Sequence, residues 1–212
     1  IPNRGSWLDF EFDVKDLLYF RVDRKKKILV STLLLALGFT KADMIHEFYE
    51  NETYSYDEKI KKWKSKFNPE NYKSKNFSEE ICDAKSNKIV IKKGEKINFL
   101  KAKKLYENGL KDIFVDNQYL YGKYLSKKLT LGEDTYKIGA ELNETIFEKI
   151  IENNVKLIET SYTNSINKGP YLLQTIHNDK NETKNDAINE IYKVLRPGEP
   201  PTIEIATQIF NN

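Results

Sequence analysis

A single cysteine, Cys82, stands in 212 residues, so no internal disulfide can form and the chain fits a reducing compartment. Histidine is almost as scarce: His46 and His177 are the two present, and His46, with no second ligand at ligand spacing, reads as a surface or core residue rather than a metal ligand. No apolar run approaches the roughly 20 residues of a membrane span, and no signal peptide is apparent, which together give the expectation of a cytoplasmic protein. A P-loop, a G-x-G-x-x-G turn and a nucleophile elbow are all missing, and Cys82 lies in no nucleophile context. Excess charge of one sign is missing as well: 35 basic against 32 acidic residues leave a net charge of +3, so any basic surface must be local. What remains is a polar but foldable chain, 39% hydrophobic and 32% charged, long enough for one or two domains. Its four N-x-S/T sequons, at Asn51, Asn76, Asn143 and Asn181, are what chance gives in so Asn-rich a chain.

The first 27 residues carry the clearest pattern. Leu8, Phe10 and Phe12 alternate with Trp7, Asp9 and Glu11, and Leu18, Phe20 and Val22 alternate with Tyr19, Arg21 and Asp23. Strand side chains alternate between faces, so each run has an apolar and a polar side. A short turn at Val14–Asp16 pairs residues whose numbers sum to 30. The inner pairs are then Leu8–Val22, Phe10–Phe20 and Phe12–Leu18; the outer pairs are Trp7–Asp23, Asp9–Arg21 and Glu11–Tyr19. A one-residue slip would turn the phenylalanines into water. Trp7 is the odd member, a large aromatic on the polar face just before the basic run Arg24–Lys27. Either another element covers it or it is there to touch something.

Farther on, Ile28–Gly38 reads as a buried helix ended by Gly38, and Thr40 caps a second helix, Lys41–Tyr49, with Met44, Ile45 and Phe48 inward. Glu58–Lys75 is dense in lysine and threaded by Trp63, Phe67 and Tyr72. That composition can bind single strands by stacking and phosphate contact; the plainer reading is a solvated helix or linker whose aromatics pack down. Strands are expected at Lys88–Ile91, Ile113–Val115, Tyr136–Leu142 and Val155–Thr160, with helices at Asn98–Asn108 and Asn143–Asn153. The two helix–strand units form an internal repeat offset by 45 residues, and Gly109 and Asn154 stop the two helices at matching positions. Asp186–Leu195 is a helix with Ile188, Ile191, Tyr192 and Leu195 on one face. The stiff Arg196–Pro201 turn follows, then Thr202 caps a terminal helix through Phe210.

Two blocks carry a resemblance to a known family. IPNRGSWLDFEFD with its VDRKKK turn, and GPYLLQTI at 169–176 followed by AINEIYKVLRPGEPPT at 187–202, resemble the lobe of the beta subunit of bacterial DNA-directed RNA polymerase, in the family's order. The resemblance is clear over residues 1–49 and 155–212 and blurred between. It implies an α+β fold: a discontinuous lobe of residues 1–49 plus 169–212, interrupted at 50–168 by an inserted α/β module holding the internal repeat, in a lineage-specific position. It implies a piece of a nucleotidyltransferase that lines the DNA channel, touches non-template and downstream DNA, and carries no catalytic residue of its own. The magnesium of the parent enzyme would be held by another subunit, so no cofactor is expected here. Carried over motif by motif, Trp7 would stack on an unpaired non-template base and Asp23 would help read the neighbouring guanine. Arg24 and Lys25 would lie near phosphates, and Arg196 near the non-template strand. Asn3 stands where a tyrosine is frequent, and lysines stand where arginines are common. Expected partners are DNA, the alpha, beta-prime and omega subunits and sigma factor. The competing reading makes 50–168 a protein-interaction module that docks initiation or regulatory factors.

Overall fold

A computed structural model describes residues 5–72 and 75–200, with 202, 204 and 208 beyond them; the expected helix Thr202–Phe210 therefore lies outside the described residues. The chain divides into two compact units. The first comprises Ile1–Tyr49, Ile138–Ala140 and Thr163–Asn212, and the second Glu50–Lys137 and Glu141–Tyr162. Residues 163–168 and 138–140 thus group with the terminal segments. Gly139 shows why: its φ of +83° breaks the expected strand Tyr136–Leu142, and a Cβ there would collide with the Leu173 carbonyl. The strand that does form, Asp134–Tyr136, ends where that excursion begins.

In the first unit, strands Leu8–Phe12, Leu18–Val22 and Ile28–Leu29 form an antiparallel sheet in that order. The register is the one alternation dictates: Leu8 faces Val22, Phe10 faces Phe20 and Phe12 faces Leu18. Asp16, at φ +58°, closes the turn. The outer pairing of Asp9 with Arg21 holds, but one contact is not the directly opposite one and one expectation needs correction. Arg21 lies opposite Asp9, yet its guanidinium reaches diagonally to Glu11 Oε1, with Nε at 3.0 Å and Nη2 at 2.9 Å. A fork aimed at one carboxylate outcompetes the directly opposite residue. And the apolar face is buried on one strand only: Phe20 is 1% exposed, but Phe10 and Phe12 are each 57% exposed.

Helix Val30–Ala36 packs against helices Tyr171–Asn178 and Lys184–Leu195. Helices Lys41–Phe48 and Lys184–Leu195 both open with a capping box, Thr40 with Asp43 and Thr183 with Asp186. Backbone and hydroxyl donors from Thr40 hold the Asp43 carboxyl below the usual aspartate range, and the Thr183 hydroxyl does the same for Asp186. Met44 and Ile45 are buried as expected, whereas Phe48 is exposed.

The second unit is a seven-stranded sheet in the order 124–125, 157–161, 51–57, 62–66, 112–115, 81–83, 89–91. The helix–strand alternation that reads as α/β is realised with a sheet that is antiparallel throughout. The hairpin Asn51–Asp57/Lys62–Lys66 sits in the middle, and the strands of the two repeats flank it, Leu157–Ser161 on one side and Asp112–Val115 on the other. Their helices, Phe99–Glu107 and Glu144–Glu152, start on Asn98 and Asn143 side chains that accept from Lys101 and Ile146 N–H groups. They stop at Gly109 (φ +106°) and Asn154 (φ +53°), so each repeat ends its helix with a left-handed residue. Trp63, Phe67 and Tyr72 are 1%, 2% and 4% exposed. The lysine-rich segment is therefore a core strand and a short 3₁₀ turn, with its aromatics packed down.

Candidate nucleic-acid interface

The hairpin register carries on past its strands to Trp7 and Asp23. Asp23 N–H donates to the Trp7 carbonyl (3.0 Å), and Trp7 N–H donates to Asp23 Oδ1 (2.8 Å). Oδ2 has no protein donor among the described residues. Lys25 N–H donates to the Val22 carbonyl (3.0 Å), closing a four-residue turn whose central residues Asp23 and Arg24 have φ of +49° and +60°. Positive φ at both centres is the type I′ pattern, which Asn and Gly adopt readily and arginine does not. Holding arginine there costs about 1–3 kcal/mol. Packing demands no arginine at this exposed turn, so burial does not account for the residue.

Trp7 is 43% exposed. With Asp23 and Arg24 it lines an open cavity of about 230 Å³. Its lining thus brings together an aromatic residue, a carboxylate fixed through one oxygen, and an arginine. The arrangement suits a planar heterocycle carrying hydrogen-bond donors and linked to an anion.

Lys25 is placed differently. Its Nζ donates to the Leu195 carbonyl (2.6 Å) at the C-terminus of helix Lys184–Leu195, where a cation also complements the helix dipole. That bond brings the basic turn beside Arg196, which caps the helix and lies 3.7 Å from Glu199 Oε2. Tyr192 Oη donates to the same Glu199 oxygen (2.9 Å), tying the stiff turn back to its helix. Trp7, Asp23, Arg24, Lys25 and Arg196 thus fall within one region of the first unit. Lys27 points the other way along the hairpin, its ammonium 4.3 Å above the ring of Tyr19, which pairs with Glu11 toward the Val14–Asp16 turn. Spacing alone could not have revealed the Lys25–Leu195 bond, which joins residues 170 apart in sequence. Among the described residues no three His, Cys, Asp or Glu side chains converge as a metal set, and no helix is long and apolar enough to cross a membrane.

Arg24→Gly separates strain from contact. Glycine adopts the turn without penalty, so the variant is expected to unfold no earlier than the parent in urea while binding single-stranded DNA less well. A loss of stability would show that the arginine packs rather than protrudes.

A model of the family RNA polymerase Rpb2, domain 2, matches residues 1–137. The chain belongs to this family. Its relatives agree along the whole length. It is 40% identical over 215 aligned residues to the DNA-directed RNA polymerase subunit beta of Rickettsia massiliae (strain Mtu5), covering 100% of this chain and 16% of that protein. It is 38% identical, again across 100% of its length, to the same subunit from Rhizobium leguminosarum bv. trifolii (strain WSM2304), of which it covers 15%. The Rickettsia prowazekii (strain Madrid E) subunit gives 38% identity over 16% of its length. The chain thus spans about one sixth of these relatives, and it corresponds to a beta-subunit lobe fragment. The alignment runs through residues 50–168, so relatives from both bacterial genera carry this Rpb2-type stretch with its middle segment.

Proposed function

We propose that this segment forms part of the wall of the DNA channel in a bacterial RNA polymerase, touching the unpaired non-template strand and downstream DNA without taking part in the chemistry. The observation that carries the reading is the half-exposed Trp7 sharing an open cavity with Asp23 and Arg24. Trp7 stacks on an unpaired base. The Asp23 carboxylate accepts from the edge of the adjoining guanine, a role a phosphate contact could not fill. Arg24 and the lysines after it meet phosphates, with Lys25 also bracing the Arg196 turn, and Arg196 approaches the same strand. Alpha, beta-prime, omega and sigma are the protein partners, the magnesium ions sit on another subunit, and the assembly works in the cytoplasm. Within residues 50–168, the second unit is a module whose removal leaves the lobe, with its residues 138–140 and 163–168 kept, able to fold.

The test is the lifetime of the open complex on templates that differ only at the non-template bases facing this cavity. Stacking a base on an aromatic contributes roughly 1–3 kcal/mol, so Trp7→Ala is expected to shorten the lifetime about tenfold, with phosphodiester synthesis intact. Asp23→Ala is expected to erase the preference for guanine more than it lowers general affinity. Charge reversal across Arg24–Lys27 should weaken binding on every template and flatten its salt dependence. Unchanged lifetimes for both single variants on all templates would return Trp7 and Asp23 to a purely structural role.

A further inference from the structure

The strand Leu8–Phe12 is the open edge of its sheet. The bonds that bracket it fix which backbone groups face outward. Asp23 N–H donates to Trp7 O, and Asp13 N–H to Leu17 O, so odd-numbered residues bond inward to the second strand, with no bulge between. Alternation then turns the N–H and C=O of Leu8, Phe10 and Phe12 to the free side. The second strand agrees: Leu18, in the even set, sends its N–H away from the first strand to Thr175 Oγ1 (2.9 Å).

The same three residues carry the exposed apolar side chains, Leu8 at 47% and Phe10 and Phe12 at 57% each. Exposed edges are normally blunted by lysine, proline, a bulge or an inward charge. Leu8–Phe12 has no lysine, proline or bulge, and its two charges, Asp9 and Glu11, lie on the face opposite the apolar side chains. At the Phe12 end the apolar face runs into a groove of about 340 Å³ lined by Leu18, Leu34, Phe48 and Tyr171. Backbone and side chains together form a site for strand addition.

Charge selects the occupant. A second copy paired antiparallel about Phe10 would set Asp9 opposite Glu11 twice, and a parallel copy would set like acids side by side, which disfavours self-association. Glu11 is already held by Arg21, whereas Asp9 has no cation among the described residues. We propose that Leu8–Phe12 accept a strand from a part of the polymerase outside these 212 residues, with apolar side chains beside Leu8, Phe10 and Phe12 and a lysine or arginine beside Asp9. The inference rests on reading the chain as one piece of a longer beta subunit.

Hydrogen exchange tests it in two arms. In the 212-residue chain, a synthetic peptide of alternating valine and lysine is expected to slow the Leu8, Phe10 and Phe12 amides about tenfold or more, leaving the Asp9 and Glu11 amides, already bonded inward, unchanged. Equal protection by a peptide N-methylated along the facing edge, or with glutamate for lysine, would overturn strand addition. In the assembled polymerase without peptide, the same three amides are expected to exchange slowly; exchange as fast as in the 212-residue chain would overturn the assignment to the polymerase itself. Neither arm depends on Trp7 or on DNA, so a failure of the DNA-channel reading would leave both results standing.

Discussion

Asp179→Ala is expected to cost the first unit about 3–5 kcal/mol, because it strands two buried hydroxyls at once. Asp179 is 1% exposed, in the link between helices Tyr171–Asn178 and Lys184–Leu195. Its Oδ2 accepts from Ser31 Oγ (2.5 Å) and Thr32 Oγ1 (2.9 Å), both on helix Val30–Ala36 and both essentially inaccessible to water. Its Oδ1 accepts from the backbone and side-chain nitrogens of Asn181, and its carbonyl accepts from Lys41 Nζ (2.9 Å). One carboxylate therefore ties segments nearly 150 residues apart, and the link it belongs to leads into the helix that Arg196 caps. Asp179→Asn keeps an acceptor for the hydroxyls but turns an amide against the Asn181 donors, so its loss should be smaller. Urea unfolding of a Trp63→Phe background, in which Trp7 reports on the first unit, measures both. Identical midpoints for Asp179→Ala and the parent would show the hydroxyls finding other acceptors, and the carboxylate would not be the keystone.

The hairpin register could be read from the sequence because two alternating runs agree on one pairing, and a slip would reverse every side chain. What covers an apolar face is not written in alternation: Phe20 is buried by the chain's own helices, while Phe10, directly opposite, is bare. The repeat was legible through its stops, since few residues other than Gly and Asn tolerate the positive φ seen at Gly109 and Asn154. Two elements of the second unit's core went unread for opposite reasons. Asn51–Asp57 is mostly polar and reveals itself only through Tyr54. Lys62–Lys66 does alternate, with Trp63 and Ser65 buried and Lys64 and Lys66 exposed, but its lysine content masks the period of two. Helix Tyr171–Asn178 was also missed, though Leu172, Leu173 and Ile176 have helical spacing. In the candidate interface, Trp7 and Asp23 follow from the register alone, whereas the Lys25 contact needs the fold to bring the chain's two ends together.

Trp63→Ala is expected to destabilise the second unit by about 3–5 kcal/mol and to leave non-template contacts untouched. Trp63 lies at the middle of the seven-stranded sheet, 1% exposed, with its indole N–H donating to Asn117 Oδ1 (2.8 Å). Its ring meets Tyr56 at 5.1 Å and Phe147, from the second repeat's helix, edge-on at 6.1 Å. Removing it opens a cavity between the central hairpin and that helix and leaves the Asn117 carbonyl without its donor. Trp63→Phe fills most of the volume but still loses the hydrogen bond, so about 1–2 kcal/mol should separate it from the parent. The variants also decide between the two readings of the lysine-rich segment. A stacking residue truncated to alanine loses affinity for single-stranded DNA while the protein stays folded; a core residue does the reverse. Urea midpoints and single-strand affinity, measured on the same preparations below the unfolding transition, give the answer. Weakened DNA binding at an unchanged midpoint would move Trp63 from the core to the interface. The expected result is a lowered midpoint with binding intact, because the base-facing side of an indole cannot be presented by a ring enclosed between Tyr56 and Phe147.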